Sequence, residues 1–198
     1  MDWVRAIAVD QLGFYWDHTL WPRLQGLTDD EYFWEPVEDA WSVRRTADGV
    51  LEMDGRGAQQ PDPPPVTTIA WRLTHIAVDI FATRADTFFG DDDGDGVGGD
   101  MFDERHRPPL PGSAAAALAL LESAYRRWRD GLLSLDEQAF LALLGPRGAF
   151  FADQPMAALA LHLNREAMHH GGEIGLLRDL YRATGAGSRT GRLVVERA

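Results

Sequence analysis

The chain contains no cysteine among its 198 residues. It can therefore form neither a disulfide framework nor a thiolate metal site, and it offers no cysteine nucleophile. Any thiol chemistry would need a thiol supplied from outside the chain. Basic residues are also few, because 31 Asp and Glu residues outnumber 19 Lys and Arg residues and leave a formal net charge of −12. Such a charge repels phosphate backbones, so nucleic acid is not an expected partner.

Long hydrophobic runs are missing as well. The longest apolar run, AAAALALL at 114–121, is far shorter than the roughly 20 residues that span a bilayer. The N-terminal residues MDWVRAIAVDQ lack the basic and apolar segments of a secretory signal. We therefore expect a cytoplasmic protein that makes no use of a membrane. A chain of this length can bury a core without a structural metal, so any bound metal would serve function.

Apolar residues recur at helical spacing in four long segments of the chain, whereas no convincing run of strands is evident. The segments begin near Trp3, Thr67, Ser113 and Pro155. We predict an all-α fold, an up-and-down-type four-helix bundle over residues 1–184, followed by a tail at 185–198. The long loop between helices one and two contains Asp48-Gly49, a turn sequence typical of a short hairpin.

Two loops contain residues whose roles the sequence leaves open. Trp41 is the only large aromatic residue of the long loop, and it either anchors that loop or lines the mouth of a cavity. The loop after helix two begins like a calcium-binding EF-hand, with Asp91, Asp93 and Asp95. Its twelfth position is Phe102 instead of a bidentate glutamate. We predict a glycine-rich connector there rather than a calcium site.

Helix four carries histidines and carboxylates in the segment LHLNREAMHHGGEIGLLR at 161–178. Glu166 and His170 are four residues apart, so they project from the same helical face. His162 lies two turns before His170, about 12 Å away, which is too far for one ion with bonds of about 2.0–2.2 Å. A third ligand would have to come from another helix. His75, which follows the apolar stripe of helix two, is the best donor.

A weak ion pair on an exposed helix is the alternative interpretation of Glu166 and His170. Leucines on the same face count against it, because an unpaired charge is costly among them. Gly171 and Gly172 also count against it, since each glycine costs a helix interior about 1 kcal/mol relative to alanine. They would admit either a neighbouring helix or a ligand, and the sequence does not choose between the two.

Three further side chains near these positions have no assigned role. His169 points about 100° away from His170 on the helix, which favours a surface position or one that supports the ligands without contacting the metal. Asp79 lies one turn beyond His75, where it could orient that histidine or face solvent. His18, near the end of helix one, is more typical of a surface residue than of a ligand.

The two helices together resemble a known family. HIAVD at 75–79, followed much later by EAMHHGGEI at 166–174, is similar to the DinB-like metal-binding four-helix bundles, which include mycothiol-dependent maleylpyruvate isomerase. In that isomerase one histidine of the second helix and a Glu-x-x-x-His pair of the last helix hold the metal. The resemblance implies that His75, Glu166 and His170 are metal ligands. Other DinB-like proteins carry histidine where Glu166 stands, so the chain looks closer to the thiol-transferase branch.

The resemblance also implies a function. Two imidazoles and one carboxylate would hold a divalent metal, with zinc expected and nickel or iron as alternatives, and would leave one position open. Mycothiol or another low-molecular-weight thiol bound there would lose its proton and attack an electrophilic substrate, in a transferase or isomerase reaction. The chain itself supplies no assigned catalytic residue. A metal-activated water that hydrolyses its substrate, and a metal- or partner-binding bundle without chemistry, remain alternatives. A homodimer is expected.

Overall fold

Helices make up most of the chain that the structure, a computed structural model, describes at residues 3–59, 61–90 and 99–189. The all-α prediction is confirmed at this level. The described residues also contain one two-stranded antiparallel sheet. Whether the long helices run up and down as a bundle of four remains a prediction. Within the same ranges, no helix combines the length and the hydropathy that a membrane span requires.

The first long helix, α1, covers residues 3–24 and contains a π-helical stretch. Its three parts are an α-helix at Trp3–Tyr15, the π-helical stretch at Trp16–Leu20 and a last turn at Trp21–Leu24. Helix α2 at Asp29–Tyr32 follows directly. It begins after Thr28, whose hydroxyl accepts a hydrogen bond from the Glu31 backbone amide at 3.3 Å. Thr28 is thus the N-terminal cap of α2.

The loop between the first two long helices contains the hairpin that Asp48-Gly49 predicts. Strand β1 at Val43–Arg45 pairs antiparallel with β2 at Leu51–Met53. Gly49 adopts a φ of 83° in the turn, a conformation that glycine reaches without a Cβ penalty. Ahead of the hairpin, the backbone of Trp41 bridges to Thr67. The hairpin is therefore held against the start of the next helix.

The second long helix, α3, covers residues 69–89 and also contains a π-helical stretch. Its parts are Ile69–Thr74, the π-helical stretch His75–Ala82, and Thr83–Phe89. Thr68 caps it by accepting a hydrogen bond from the Trp71 amide at 3.2 Å. The π-helical stretch begins at the candidate ligand His75, and such stretches occur frequently at functional sites.

The remaining helices complete the core. They are α4 at Ala114–Ser134, α5 at Glu137–Leu141, α6 at Met156–Ala183 and α7 at Ala186–Arg189, with short 3-10 helices at Glu104–His106 and Gly145–Phe151. Pro155 lies immediately before the first residue of α6, at its N-cap position. Gly131 of α4 leaves space for the Phe89 ring, which a Cβ there would meet at 2.2 Å.

The core lies between the long helices, which contribute fully buried side chains to it. Helix α3 packs against both α4 and α6. The candidate ligands of α3 and α6 therefore face each other across one seam of the core. The acidic stretch at 91–98, which we predict to be a connector, and the tail residues 190–198 lie outside the described residues.

Candidate metal centre

Helices α3 and α6 bring the three predicted ligands together. One ligand atom each from His75, Glu166 and His170 lies within 4.8 Å of the other two. Bonds of about 2.0–2.2 Å to one tetrahedral ion place its ligand atoms about 3.5 Å apart, so small side-chain adjustments would suffice. Sequence spacing alone indicated two of these residues. The packing of α3 on α6 supplies the third.

A carboxylate orients the ring of His75. Its Nδ1 lies 3.2 Å from Asp79 Oδ2, one helical turn further along α3. Asp79 is only 18% exposed, and its Oδ1 accepts a hydrogen bond from Arg56 at 2.8 Å. Burial alone would raise the pKa of Asp79, but the hydrogen bond from His75 and the charges of Arg56 and Arg107 outweigh burial and lower that pKa. Asp79 therefore stays ionised, and its position is not the solvent-facing one.

A second carboxylate orients His170 in the same manner. Its Nδ1 lies 2.6 Å from Glu173 Oε2, while its Nε2 lies 3.3 Å from Glu166 Oε2. Arg72 Nη1 is also 3.3 Å from the same Nδ1. Nδ1 cannot both donate to Glu173 and accept from Arg72. We assign the Nδ1 proton to the shorter contact, with Glu173, because Arg72 Nε already pairs with Glu173 at 3.0 Å.

The electrostatic surroundings favour a neutral His170. Burial lowers the pKa of His170; a hydrogen bond to Glu173 opposes this, and the nearby charges of His75 and Arg72 reinforce it. A neutral imidazole with its proton on Nδ1 keeps a lone pair on Nε2. Metal-binding histidines typically donate their other ring N–H to a carboxylate or carbonyl in this manner. Nδ1 of His75 and Nδ1 of His170 each face a carboxylate, so the residues present fit a divalent metal.

A second group of potential ligands shares His170 with the first. His169, His170 and Glu173 also bring one ligand atom each within 4.8 Å of one another. All three come from one helix, and the short His170–Glu173 hydrogen bond already uses two of their ligand atoms. His169 is 65% exposed. The group that joins two helices, which is the one that the sequence predicts, is therefore the better candidate.

Aromatic residues and the hairpin form one wall of the site. The Trp71 ring stacks on His75 with centroids 5.4 Å apart and an interplanar angle of 23°. Trp71 Nε1 donates to the Asp54 carbonyl at 2.9 Å, which fixes the ring against the hairpin. The Trp41 ring lies 6.1 Å from Trp71. Trp41 thus anchors the loop and contacts Trp71, whereas its place at the mouth of a cavity stays a prediction.

Gly171, Gly172 and His18 have different surroundings in the structure. A Cβ at Gly171 would lie 2.3 Å from Tyr15 Oη, so this glycine permits the close approach of α1. A Cβ at Gly172 would meet nothing within 4 Å, and the structure gives no packing reason for that glycine. The His18 ring lies against Phe14 on α1, with centroids 4.6 Å apart, and belongs to neither ligand group.

The fold and the site together define a class of protein: a mostly helical chain with a His/Glu cluster that could hold a divalent metal. The family model described as the DinB superfamily matches residues 15–174. The chain therefore belongs to the DinB superfamily, and the membership predicted from its two helices is confirmed. Searches of curated proteins and of solved structures find no match. The mycothiol-dependent branch remains a prediction.

Replacing Asp79 with Asn is expected to weaken zinc binding by about 10- to 100-fold, the usual cost of removing a carboxylate that orients a histidine ligand. Competition with a chromophoric zinc chelator would measure the change. Asp86→Asn is the matched control, because Asp86 lies on the same helix and contacts His106 Nδ1 at 2.8 Å, outside the candidate centre. Equal losses in both variants would contradict a specific role for Asp79.

Proposed function

We propose that the chain is a divalent-metal-dependent transferase that uses a low-molecular-weight thiol and passes it to an electrophilic substrate. The observation that carries the proposal is the cluster of His75, Glu166 and His170, in which a carboxylate on each Nδ1 leaves Nε2 of both histidines for a metal. Two imidazoles and one carboxylate are three protein ligands, the number typical of catalytic zinc sites. Structural zinc sites normally have four.

A divalent metal bound there would lower the pKa of a coordinated thiol, so that the thiolate form exists near neutral pH. The thiol has to come from outside, because the chain has no cysteine, and mycothiol is one candidate. The side chains of His75 and Glu166 are 24% and 23% exposed, which leaves the centre accessible to a small molecule. We place this centre between the helices of an up-and-down four-helix bundle.

The residues around the cluster have defined tasks in this proposal. Asp79 and Glu173 each face Nδ1 of one histidine, which leaves Nε2 of His75 and of His170 for the metal. Arg72 neutralises Glu173 at 3.0 Å, which keeps that carboxylate from acting as a competing ligand. Trp71 covers one face of His75 and shields the cluster from water on that side.

Cobalt-substituted protein titrated with 2-mercaptoethanol across a range of pH tests the thiol site. We expect a new sulfur-to-cobalt absorption band that saturates with thiol concentration. Zinc-loaded protein should then conjugate the same thiol to 1-chloro-2,4-dinitrobenzene faster than an equal amount of free zinc does. A cobalt spectrum without any thiol response would reject the thiol site and favour a hydrolase or a metal-binding module. Thiol binding without conjugation would favour a metal-binding module over a transferase.

Replacing Glu166 with His would test the charge of the centre. The change removes one negative charge from the ligand set but keeps a ligand on the same helical face. We expect the variant to retain a divalent metal and a coordinated thiol to ionise at a lower pH than in the unmodified protein. The pH titration of the cobalt–thiol absorption band measures this. An unchanged midpoint would mean that Glu166 does not contact the metal.

A further inference from the structure

A cavity of about 530 Å³ opens beside the start of α6. Its walls are mostly apolar and include Phe102, Leu144 and Leu159, while the polar side chains that reach it include Arg84, His162 and Arg165. Small-molecule sites typically have volumes of about 300–1,000 Å³ and combine apolar walls with a few polar groups. The size and lining therefore suit an organic molecule with a small polar end.

Arg84 is the unusual residue of this cavity, because it is charged and only 9% exposed. Its Nη1 donates to the backbone carbonyl of Asp79 at 2.6 Å, and its guanidinium lies over the Phe102 ring at 5.1 Å from the centroid. Its Nε is buried without a hydrogen-bond partner. Across the described ranges, no carboxylate side chain lies within ion-pair distance of Arg84.

The nearest acidic group, Asp79, attracts this guanidinium but forms no ion pair with it. The carboxylate of Asp79 already contacts Arg56 at 2.8 Å, His75 at 3.2 Å and Arg107 at 3.6 Å. Arginine does not lose its proton in proteins, and an unpaired buried charge is costly. The arrangement of residues therefore has an excess of positive charge at the inner end of an apolar cavity.

We propose that this cavity binds amphipathic monocarboxylates, with the carboxylate on Arg84 and the apolar body against Phe102, Leu144 and Leu159. An arginine beside a carboxylate makes strong charge-assisted hydrogen bonds and suits its planar geometry. Arg165 lines the cavity with an exposed side chain, contacts His162 Nδ1 at 2.6 Å and lies 3.8 Å from Glu166 Oε1, so its charge is partly paired. It adds positive charge that attracts an anion from solution.

The cavity adjoins the candidate metal centre. His162 lines the cavity, and its Nδ1 lies 3.6 Å from Oε1 of the proposed ligand Glu166. A further role of the bound carboxylate as a substrate of the metal centre would rest on the proposed function. The binding of the carboxylate does not, because none of the groups that would hold it is a proposed metal ligand.

Isothermal titration calorimetry with phenylacetate and its neutral analogue phenylacetamide, on metal-free and on zinc-loaded protein, tests the inference. We expect phenylacetate to bind at least about tenfold more tightly than phenylacetamide in both forms. Arg84→Met should weaken phenylacetate by about 10- to 100-fold, the effect of losing a hydrogen bond to a charged group, and leave phenylacetamide nearly unchanged. Arg126→Met, which removes an exposed arginine paired with Glu122, is the matched control and should bind as the unmodified protein does.

A second variant keeps the test decisive if Arg84→Met does not fold because it loses the hydrogen bond to the Asp79 carbonyl within α3. Ala158→Phe fills the cavity while Arg84 remains, and it should weaken both probes. Equal binding of the two probes by the unmodified protein, an unchanged preference in Arg84→Met, or full binding in Ala158→Phe would each overturn the inference. Tighter binding of phenyl phosphate than of phenylacetate would overturn the assignment to carboxylates. Carboxylate binding in metal-free protein, together with no cobalt–thiol response, would reject the proposed function alone.

Discussion

Replacing His75 with Ala is expected to remove most of the bound divalent metal and to leave a folded helical protein. His75 is the only member of the candidate centre on α3, so its loss leaves Glu166 and His170 on a single helix. The core is built from apolar side chains of all the long helices and does not depend on a metal. Elemental analysis of dialysed protein would measure metal stoichiometry, and far-ultraviolet circular dichroism would measure helix content.

His169→Ala is the matched control for this experiment. It removes a histidine from the alternative group on α6 and leaves the proposed ligands in place. The two groups share His170, so variants of His75 and His169, which they do not share, distinguish between them. Full metal content in His75→Ala, with loss in His169→Ala, would move the centre onto α6 alone. Loss of metal in both variants would show that it is wrong to assign His75, and not His169, as a ligand.

Most helix boundaries could be predicted from local sequence, whereas the π-helical stretches could not. Thr68 and Ser113 accept hydrogen bonds from the amides three residues on, as capping residues do, and apolar spacing locates the helices that follow. A π-helical stretch replaces the usual hydrogen-bond register, and no residue preference in the sequence of α3 marks that change. The stretch at His75–Ala82 therefore becomes visible only in the packed structure.

The candidate site, too, could be predicted only in part from the sequence. Glu166 and His170 could be found from a spacing of four, because that spacing has a fixed geometry on a helix. Arg72 and Arg56 could not, since their roles depend on contacts between parts of the chain far apart in sequence. Glu173 lies three residues after His170 on the same helix, so its contact could have been found from local spacing. The sequence could not decide whether Asp79 orients His75 or faces solvent. The ion pairs of Asp79 are with Arg56, which follows the hairpin, and with Arg107, and the sequence places neither residue near this carboxylate.

The largest loss of stability is expected from Arg178→Met. Arg178 pairs with Glu31 through two hydrogen bonds, from Nε at 2.7 Å and from Nη2 at 2.8 Å, and the two side chains are only 3% and 5% exposed. Removing one partner of a buried ion pair leaves an unpaired charge and costs about 3–5 kcal/mol. Urea unfolding followed by circular dichroism would give the change in the free energy of unfolding. Arg126→Met, at an exposed pair, should cost about 1 kcal/mol or less.

The double variant Arg178→Met with Glu31→Leu separates the ion pair from the other bonds of Arg178. Arg178 Nη1 also donates to the backbone carbonyls of Arg23 and Gln25, at the end of α1. Replacing both charged partners removes the unpaired carboxylate, so the double variant should be more stable than Arg178→Met alone. Recovery should be partial, because the two carbonyls still lack their donor. A double variant no more stable than the single one would contradict the unpaired charge as the cause and assign the loss to the carbonyl bonds that join α6 to α1.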